Sequence, residues 1–454
     1  MHVVVTGATG FVGRSLVREL LAAGHSVTAL TRDVERAERA LPARCRALGW
    51  DPEGALDPNT LRGVQAVVHL AGEGIADRRW TAARKRALRD SRVLTSDAVV
   101  RALRQLEPAH RPRVLVSASA IGWYSDRGDS VLDEASAPGS GFLADLCREW
   151  ETAVFAAREL EVRTVAVRIG VVLGREGGAL RPLLPLFRLG LGGRLGSGRQ
   201  WFSWIHLQDL VGVLRVAIEN PDVSGVINGV APEPVTNAAF TAELGRALHR
   251  PALLPVPAVV LRLALGEMST VLLGSQRVLP RRAEQLGFTF RHPTLRRALA
   301  DLCADPSHEL LVEQRLALPP ERVFPFFSDP RNLEKITPDF LRFRVLGMTT
   351  PEIADGTLID YALRLHGIPV RWQSRIESWT PNRRFVDEQI RGPYAWWHHT
   401  HEFEPDAGGT IVRDRVRYRL PLGALGESVA GWLVRRDLAA VFDFRRKRIA
   451  ELMA

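Results

Sequence analysis

The sequence of 454 residues predicts an α/β fold with a doubly wound parallel sheet and a small helical module, followed by an α+β fold. Short β-branched runs alternate with helical patterns over residues 1–230. Prolines become frequent and short helices follow over 231–306, and several strand-like runs precede one long helix over 307–454. Because the chain is too long for one ordinary core, we interpret these three segments as three domains.

The composition excludes several classes of protein. Hydrophobic residues make up 46% and charged residues 25% of the chain, and no apolar run reaches the roughly 20 residues of a membrane helix. The first residues form a strand pattern and not a cleavable leader, so we expect a cytoplasmic protein. Three widely spaced cysteines predict neither disulfides nor a zinc site. The net charge of +10 comes from arginines scattered among acids, which does not favour a nucleic-acid partner.

A glycine-rich turn joins the first predicted strand, VVVTG, to the first predicted helix, SLVRELLAAGH. In this context Gly7 permits a tight turn, Gly10 lets the backbone approach a pyrophosphate, and Gly13 allows close packing of helix on strand. The helix N-terminus offers amide donors and a favourable dipole to phosphates. A turn that binds nothing is the alternative. The predicted cofactor contacts here are Thr6, Gly7, Thr9, Gly10, Phe11, Val12 and Gly13.

The second predicted strand, SVTALTR, ends at Arg32, where an NAD-selective site usually has an acid. An arginine at this position can pair with the 2′-phosphate of NADP(H). We therefore expect NADP(H) to be favoured over NAD(H), the alternative being a solvated arginine at a strand end.

Three further strand-like runs follow at residues 66–72, 113–120 and 162–174. Ligands of such sheets bind at the C-terminal ends of the strands. The first run ends in Leu70, Ala71 and Gly72, which we expect beside the nucleotide, and the second carries Ser119 near its end.

These segments resemble the extended short-chain dehydrogenase/reductases, and more narrowly their atypical epimerase-family group. The resemblance rests on TGATGFVG, HLAGEGIADRRW, RDSRV, SASAIGWY, FLADLCREWE, RIGVVLGREGGAL and WFSWIHLQDL, which together span most of residues 1–230. It implies a Rossmann-type domain acting on a small-molecule substrate. It also implies that Ser119 matches the superfamily's catalytic serine and that Arg92 stands where an asparagine is usual.

The tyrosine and lysine that usually catalyse proton transfer in this superfamily are absent. The matching positions hold Leu143 and Cys147, and Tyr124 is the only tyrosine before Tyr361. Two interpretations follow. The protein is either an oxidoreductase or epimerase that uses another proton donor, or a non-catalytic protein that senses NADP(H) or carries a ligand.

Several residues are candidates for replacing the missing pair. Tyr124 is either an alternative acid or, with Trp123, an aromatic wall of the substrate site. Cys147 either packs against the sheet or contributes to the site, and Arg92 either orients an anionic substrate or forms a surface ion pair. Trp204 and His206, in WFSWIHLQD, are candidate substrate contacts, with a structural histidine as the alternative for His206.

Residues 231–306 resemble the small C-terminal module of the same epimerase-like group, which by analogy covers the substrate. Their apolar stretch ALLPVPAVVLRLALGEM suggests, as an alternative role, the interface of a homodimer.

Residues 307–454 follow the short linker ADPS and resemble the START-like, cyclase/dehydrase-related superfamily, whose helix-grip fold closes a sheet around a long terminal helix. An apolar cavity for a hydrophobic ligand is expected, the alternative being a cavity filled by its own side chains. In the strand WWHHTHEF, His399 and His401 share one face with Trp397 and Phe403, whereas His398 points away. Two histidines lack the further ligands of a zinc site, so no metal is expected.

Overall fold

In a computed structural model, the structure describes residues 1–52, 54–175, 177–303, 308–406 and 408–453. The chain divides into two compact units, 1–304 and 305–454. The predicted linker ADPS, residues 304–307, lies outside the described residues.

The first unit is built on a seven-stranded sheet with the order β11-β7-β5-β4-β1-β2-β3. All six pairings in it are parallel. The strands of this unit are β1 His2–Thr6, β2 Ser26–Thr31, β3 Arg46–Gly49, β4 Ala66–His69, β5 Val114–Ala120, β6 Val131–Leu132, β7 Arg163–Ile169, β8 Val171–Leu173, β9 Trp201–Phe202, β10 Trp204–His206, β11 Gly225–Gly229, β12 Val235–Thr236 and β13 Arg277–Val278.

Helices cover both faces of this sheet, which confirms the doubly wound prediction. Leu16 and Leu214 belong to the apolar core on one face, and Leu103 and Trp150 to the core on the other. The helices are α1 Phe11–Ala22, α2 Val34–Ala40, α3 Ala82–Arg104, α4 Phe142–Phe155, α5 Leu180–Arg188, α6 Leu207–Glu219, α7 Asn237–Ala247, α8 Ala258–Leu265, α9 Thr270–Leu273, α10 Arg281–Gln285 and α11 Leu295–Cys303. Strand order reverses between β1 and β4, so a crevice for a ligand lies outside their carboxyl ends.

The predicted strand at 162–174 is two strands in the structure, because Gly170 separates β7 from β8. β7 pairs with β5 and β11 in the large sheet, whereas β8 pairs with β10 in a small one. A Cβ at Gly170 would lie 2.7 Å from a methyl carbon of Val230 and 2.8 Å from the carbonyl oxygen of Ser203. The chain changes sheets at the residue that admits this close approach.

The second unit is one antiparallel seven-stranded sheet with the order β14-β20-β19-β18-β17-β16-β15. A long terminal helix, α14, packs against it, as the helix-grip prediction requires. The elements are β14 His308–Leu316, α12 Pro320–Phe327, α13 Arg331–Lys335, β15 Arg344–Met348, β16 Leu358–Leu365, β17 Ile368–Thr380, β18 Arg384–Arg391, β19 Trp396–Asp406, β20 Gly409–Arg419 and α14 Gly423–Leu452.

Helix α14 starts seven residues before the predicted position near Ala430. On its predicted apolar face, Val441, Phe442 and Ile449 are buried, whereas Leu452 in the last turn is exposed. None of the helices in the described part of the chain is both long enough and apolar enough to cross a membrane.

Candidate cofactor site and second-unit cavity

The glycine-rich turn has the geometry of a phosphate-binding loop. Gly7 has a φ of +66°, and a Cβ there would lie 2.7 Å from the carbonyl carbon of Leu70. A Cβ at Gly13 would lie 2.2 Å from the carbonyl oxygen of Gly7, so only glycine lets helix α1 pack this closely. The first helical bond of α1 runs from the N–H of Arg14 to the carbonyl of Gly10. The amides of Phe11, Val12 and Gly13 in the first turn have no helical acceptor and can donate to an anion in the crevice, whereas the amide of Gly10 bonds the carbonyl of Gly7.

Phe11 places its ring against the loop that follows β8. A Cβ at Gly174, Gly177 or Gly178 would lie 2.4, 2.3 or 3.0 Å from atoms of that ring. Phe11 thus connects the start of α1 to this loop by direct contact. Thr9 and Val12, the other predicted contacts in the turn, are each partly exposed.

A buried hydrogen-bond chain fixes the second wall of the crevice. The hydroxyl of Thr6 lies 2.8 Å from Nδ1 of His69 and accepts the N–H of Ala71 at 3.2 Å. The other ring nitrogen of His69 lies 3.2 Å from the hydroxyl of Thr95. Burial lowers the pKa of His69 to about 4, so the ring is neutral near pH 7. Thr6 thereby holds the backbone of the segment that contains Leu70, Ala71 and Gly72.

Arg92 of helix α3 holds the loop after Gly72. Arg92 donates from Nη2 to the carbonyl of Glu73 at 2.8 Å and from Nη1 to the carbonyl of Leu88 at 2.9 Å. A Cβ on Gly72 would lie 3.5 Å from Arg92 side-chain carbons, so this guanidinium borders the crevice. Burial lowers the pKa of Arg92. Its role toward a substrate stays a prediction.

Arg32 is exposed just beyond the end of β2. The neighbouring acid, Asp33, accepts the N–H of Arg36 at 2.9 Å and caps helix α2. The carboxylate of Asp33 is thus engaged by the backbone of α2, whereas the side chain of Arg32 is exposed to solvent.

Ser119 belongs to a buried polar network. Its hydroxyl donates to Oε1 of Glu151 at 2.7 Å, and Arg168 binds both carboxylate oxygens of Glu151 at 2.8 and 2.9 Å. Strand register explains the arrangement, because Arg168 on β7 lies between Ser119 on β5 and Asn228 on β11. Ser119 is only 2% exposed, so a substrate oxygen reaches its hydroxyl only if this bond to Glu151 is exchanged.

Tyr124 lies at the other end of the same network. Its hydroxyl donates to Oδ1 of Asn228 at 2.8 Å and accepts from Nη1 of Arg168 at 3.1 Å. The side chain is 0% exposed, and burial raises its pKa to about 12. Its assignment as a proton donor stays a prediction, and this geometry argues against it. Trp123 is partly exposed and lies beneath Arg168, 3.8 Å from guanidinium carbon to ring centroid.

Leu143 and Cys147 both face Gly122. A Cβ on that glycine would lie 3.2 Å from Cβ of Leu143 and 3.6 Å from Sγ of Cys147. Burial raises the pKa of Cys147 to about 12, so the thiol carries no charge at neutral pH. These positions provide packing and supply neither a phenol nor a cation.

Trp204 and His206 lie inside the protein. Trp204 is 0% exposed and donates its indole N–H to the carbonyl of Glu233 at 3.0 Å. His206 caps α6 by accepting the N–H of Gln208 at 3.1 Å, and its ring stacks on His292. Burial and the neighbouring His292 lower the pKa of His206 to about 4. Their predicted contacts with substrate stay predictions, and the packing favours the structural alternative for His206.

The apolar stretch at 252–268 exposes several large side chains. Leu253, Val259 and Leu263 are 80%, 59% and 73% exposed. A homodimer interface along this stretch stays a prediction.

The second unit encloses a cavity of about 520 Å³ between sheet and helix. Most of its wall is apolar, as in Leu333, Ile359, Leu363, Leu438 and Val441. A volume of this size is typical of sites for small apolar ligands.

Polar side chains on β19 and β20 also line this cavity. His399 and His401 are buried, as expected for one strand face, and Asp414 of the next strand joins them. The premise that the two histidines lack a third ligand is therefore wrong. A neighbouring strand supplies that ligand, and spacing along a single strand cannot reveal it.

Sequence reasoning missed the residues that organise the first unit's interior, chiefly Arg168 with Glu151 and Asn228, and His69 with Thr95. One signal was present, because Arg168 interrupts the apolar strand TVAVRIG. A charge in a strand that is buried on both faces requires a buried partner.

Three protein-family models match the chain. The NAD dependent epimerase/dehydratase family matches residues 3–229, a domain of unknown function matches 256–302, and the polyketide cyclase / dehydrase and lipid transport family matches 307–451.

Among curated proteins, the chloroplastic epimerase family protein SDR39U1 homolog of Arabidopsis thaliana is 45% identical over 299 residues, covering 66% of this chain and 86% of that protein. Among solved structures, the human epimerase family protein SDR39U1 with NADPH is 36% identical with a TM-score of 0.60, covering 67% of this chain and 99% of that one. A nucleoside-diphosphate sugar epimerase from Corynebacterium glutamicum is 35% identical with a TM-score of 0.53, covering 67% of this chain and 58% of that one.

Proposed function

Because the chain belongs to the NAD dependent epimerase/dehydratase family, we propose that its first unit binds NADP(H) and acts as an oxidoreductase or epimerase on a small-molecule substrate. The glycine turn carries this proposal. A side chain at Gly7 would collide with the backbone of Leu70, and one at Gly13 with the carbonyl of Gly7, so glycine alone allows the tight turn and close helix packing of a pyrophosphate-binding loop. A bound nicotinamide would supply or accept a hydride. The protein contributes free amides at the start of α1 and a crevice wall held by Thr6 and Arg92.

Arg32 supports a preference for the phosphorylated cofactor. Its guanidinium is exposed at the strand end that faces the ribose in this fold, and Asp33 is occupied by the N-terminus of α2. The human relative of known structure has NADPH bound.

Fluorescence titration of the full chain with NADPH and NADH tests this preference. Arg32→Ala should weaken NADPH binding by about 10- to 100-fold, the range of one charge-assisted hydrogen bond, and change NADH affinity little. Arg39→Ala on helix α2 is the matched control, because Arg39 is also exposed but lies two turns further along the chain. Equal affinities for both cofactors, unaffected by Arg32→Ala, would overturn the preference.

The second candidate function is a non-catalytic sensor of NADP(H). The packing of Leu143 and Cys147 against Gly122 favours this function. So do the hydrogen bonds that Ser119 and Tyr124 donate to Glu151 and Asn228, because both hydroxyl protons are engaged within the protein. Oxidation of bound NADPH in the presence of carbonyl compounds or nucleotide sugars would establish an enzyme. The same nucleotide recovered unchanged across that panel would favour the sensor.

For the second unit we propose binding of a hydrophobic compound in the cavity. Leu438→Trp should narrow the cavity and weaken binding of the amphiphilic dye 1-anilinonaphthalene-8-sulfonate. Val429→Trp on the same helix is the control, because Val429 is 72% exposed. A dye affinity that Leu438→Trp leaves unchanged would place the apolar site elsewhere.

A further inference from the structure

Three side chains that can ligate a metal converge on the wall of the second-unit cavity. Nε2 of His399 lies 3.1 Å from Oδ1 of Asp414, and Nδ1 of His401 lies 2.7 Å from the same oxygen. The ligand atoms of all three residues lie within 4.8 Å of one another. Strand register produces this arrangement, because His399 and His401 alternate onto one face and His401 pairs with Asp414.

The hydrogen bonding of this cluster is incomplete. Nδ1 of His401 is close to Asp414 but lacks the alignment of a hydrogen bond, and it is buried. A ring nitrogen this close to a carboxylate oxygen, without an aligned hydrogen bond, has the geometry of two ligand atoms that share one ion.

The charges around the cluster favour a cation. Asp387 lies directly opposite His399 on β18, and its buried Oδ1 has no hydrogen-bond partner among the described residues. Arg445 of helix α14 lines the same cavity, and its positive charge opposes the binding of a cation. This single positive charge stands against two carboxylates, those of Asp387 and Asp414. An excess negative charge in an apolar cavity is costly until a cation neutralises it.

We propose that His399, His401 and Asp414 bind a divalent transition-metal ion of the zinc or iron(II) class. Two imidazoles and one carboxylate suit these ions, and three protein ligands leave coordination positions for a ligand. All three ligands line the cavity, where Nε–H of Arg445, which has no partner among the residues that the structure describes, can donate to an oxygen of that ligand. The compound bound there is accordingly apolar with one oxygen-bearing end.

A second group in the first unit, His206, His292 and Asp301, has its ligand atoms equally close. There Nδ1 of His206 is used to cap helix α6, and Asp301 is exposed. This group serves as the internal comparison for the experiment.

The experiment titrates the untagged full chain, stripped of metal by a chelator, with Co²⁺ and follows the visible d–d absorption. We expect about one equivalent to bind. His401→Ala should weaken Co²⁺ binding by at least about 100-fold. Removing a residue that only hydrogen-bonds to a metal ligand costs up to about this much, and His401 is proposed as a ligand itself. His398→Ala, on the opposite face of β19, and His292→Ala, in the first unit, should leave the titration unchanged.

Two results of the titration would overturn the proposal. One is the absence of d–d absorption in the wild-type chain. The other is absorption that disappears with His292→Ala and persists with His401→Ala. X-ray absorption of the Zn²⁺-loaded wild type is independent of how the variants fold. It should show imidazole nitrogens at about 2.0–2.1 Å. A shell of oxygen atoms alone would also overturn the site.

Discussion

Arg168 and Arg445 are buried arginines, one in each unit, with opposite surroundings. Arg168 makes two hydrogen bonds to Glu151 and one to Tyr124, and although burial opposes it, Glu151 raises the pKa of Arg168. Among the described residues Nε of Arg445 has no hydrogen-bond partner, and burial lowers the pKa of Arg445 despite the attraction of Asp414 and Asp387. A buried charge with all its partners supports architecture, whereas one with unused donors beside a cavity indicates a ligand.

The largest expected effect comes from breaking the paired site. Arg168→Met should lower the free energy of unfolding of the first unit by about 3–5 kcal/mol, because Glu151 would stay buried without its partner. Calorimetric unfolding of the full chain measures this loss. The double variant Arg168→Met/Glu151→Leu should regain most of it, since no charge is then stranded. A loss below about 1 kcal/mol in the single variant would show that the pair does not support the fold.

The next effect is a pH dependence set by His69. The pKa of this ring is lowered from 6.5 to about 4 by burial, so the unfolded chain binds more protons than the folded chain between these values. The unfolding free energy of the first unit should therefore fall by about 3 kcal/mol as pH decreases from 6.5 to 4. His69→Gln should remove that part of the slope, while His206, whose pKa is also lowered to about 4, still contributes one of the same sign. A slope identical in His69→Gln and wild type would contradict the assignment.

A smaller effect distinguishes the two roles of Tyr124. Tyr124→Phe leaves Oδ1 of Asn228 and Nη1 of Arg168 short of a partner, which should cost about 1–3 kcal/mol of stability. NADPH affinity should not change. If Tyr124 only carries hydrogen bonds, turnover by the folded fraction stays constant, whereas a loss of about 10²–10⁴-fold would identify it as the general acid.

The smallest effect is expected at the unpaired site. Arg445→Met should change the free energy of unfolding of the second unit by less than about 1 kcal/mol, or raise it, because it removes a buried N–H that has no partner in the described part of the chain. Chemical denaturation followed by tryptophan fluorescence, to which Trp372 and Trp397 in the cavity contribute, compares this variant with the wild type. A loss as large as that expected for Arg168→Met would show that Arg445 is a structural residue.

The fold was predictable where local pattern and tertiary structure agree. Alternating strands and helices, the glycine turn at Gly7 and the alternation of His399 with His401 each depend on residues near one another in sequence. The break at Gly170 was not predictable, because Val230 and the carbonyl of Ser203 impose it from distant segments.

The candidate site residues, too, were predictable where they depend on neighbours in sequence and not where they depend on distant segments. The predicted crevice segments, Gly7 to Gly13 and Leu70 to Gly72, lie side by side at the carboxyl ends of β1 and β4. By contrast, the partners of Ser119 and Tyr124 come from other strands and helices, and so does Asp414 beside the two histidines. Pairing across strands decides which hydroxyls and imidazoles remain available to a ligand, and no single segment contains that information.

The contact between Phe11 and the loop after β8 has a consequence for any anion bound at the start of α1. The ring lies at the first residue of α1, beside the amides offered to a phosphate, and three glycines of one loop enclose it. An anion that orders the start of α1 also restricts the ring, and the ring restricts Gly177 and Gly178. A nucleotide phosphate bound at the start of α1 would therefore be linked, through the Phe11 ring, to Gly177 and Gly178, which need not contact it.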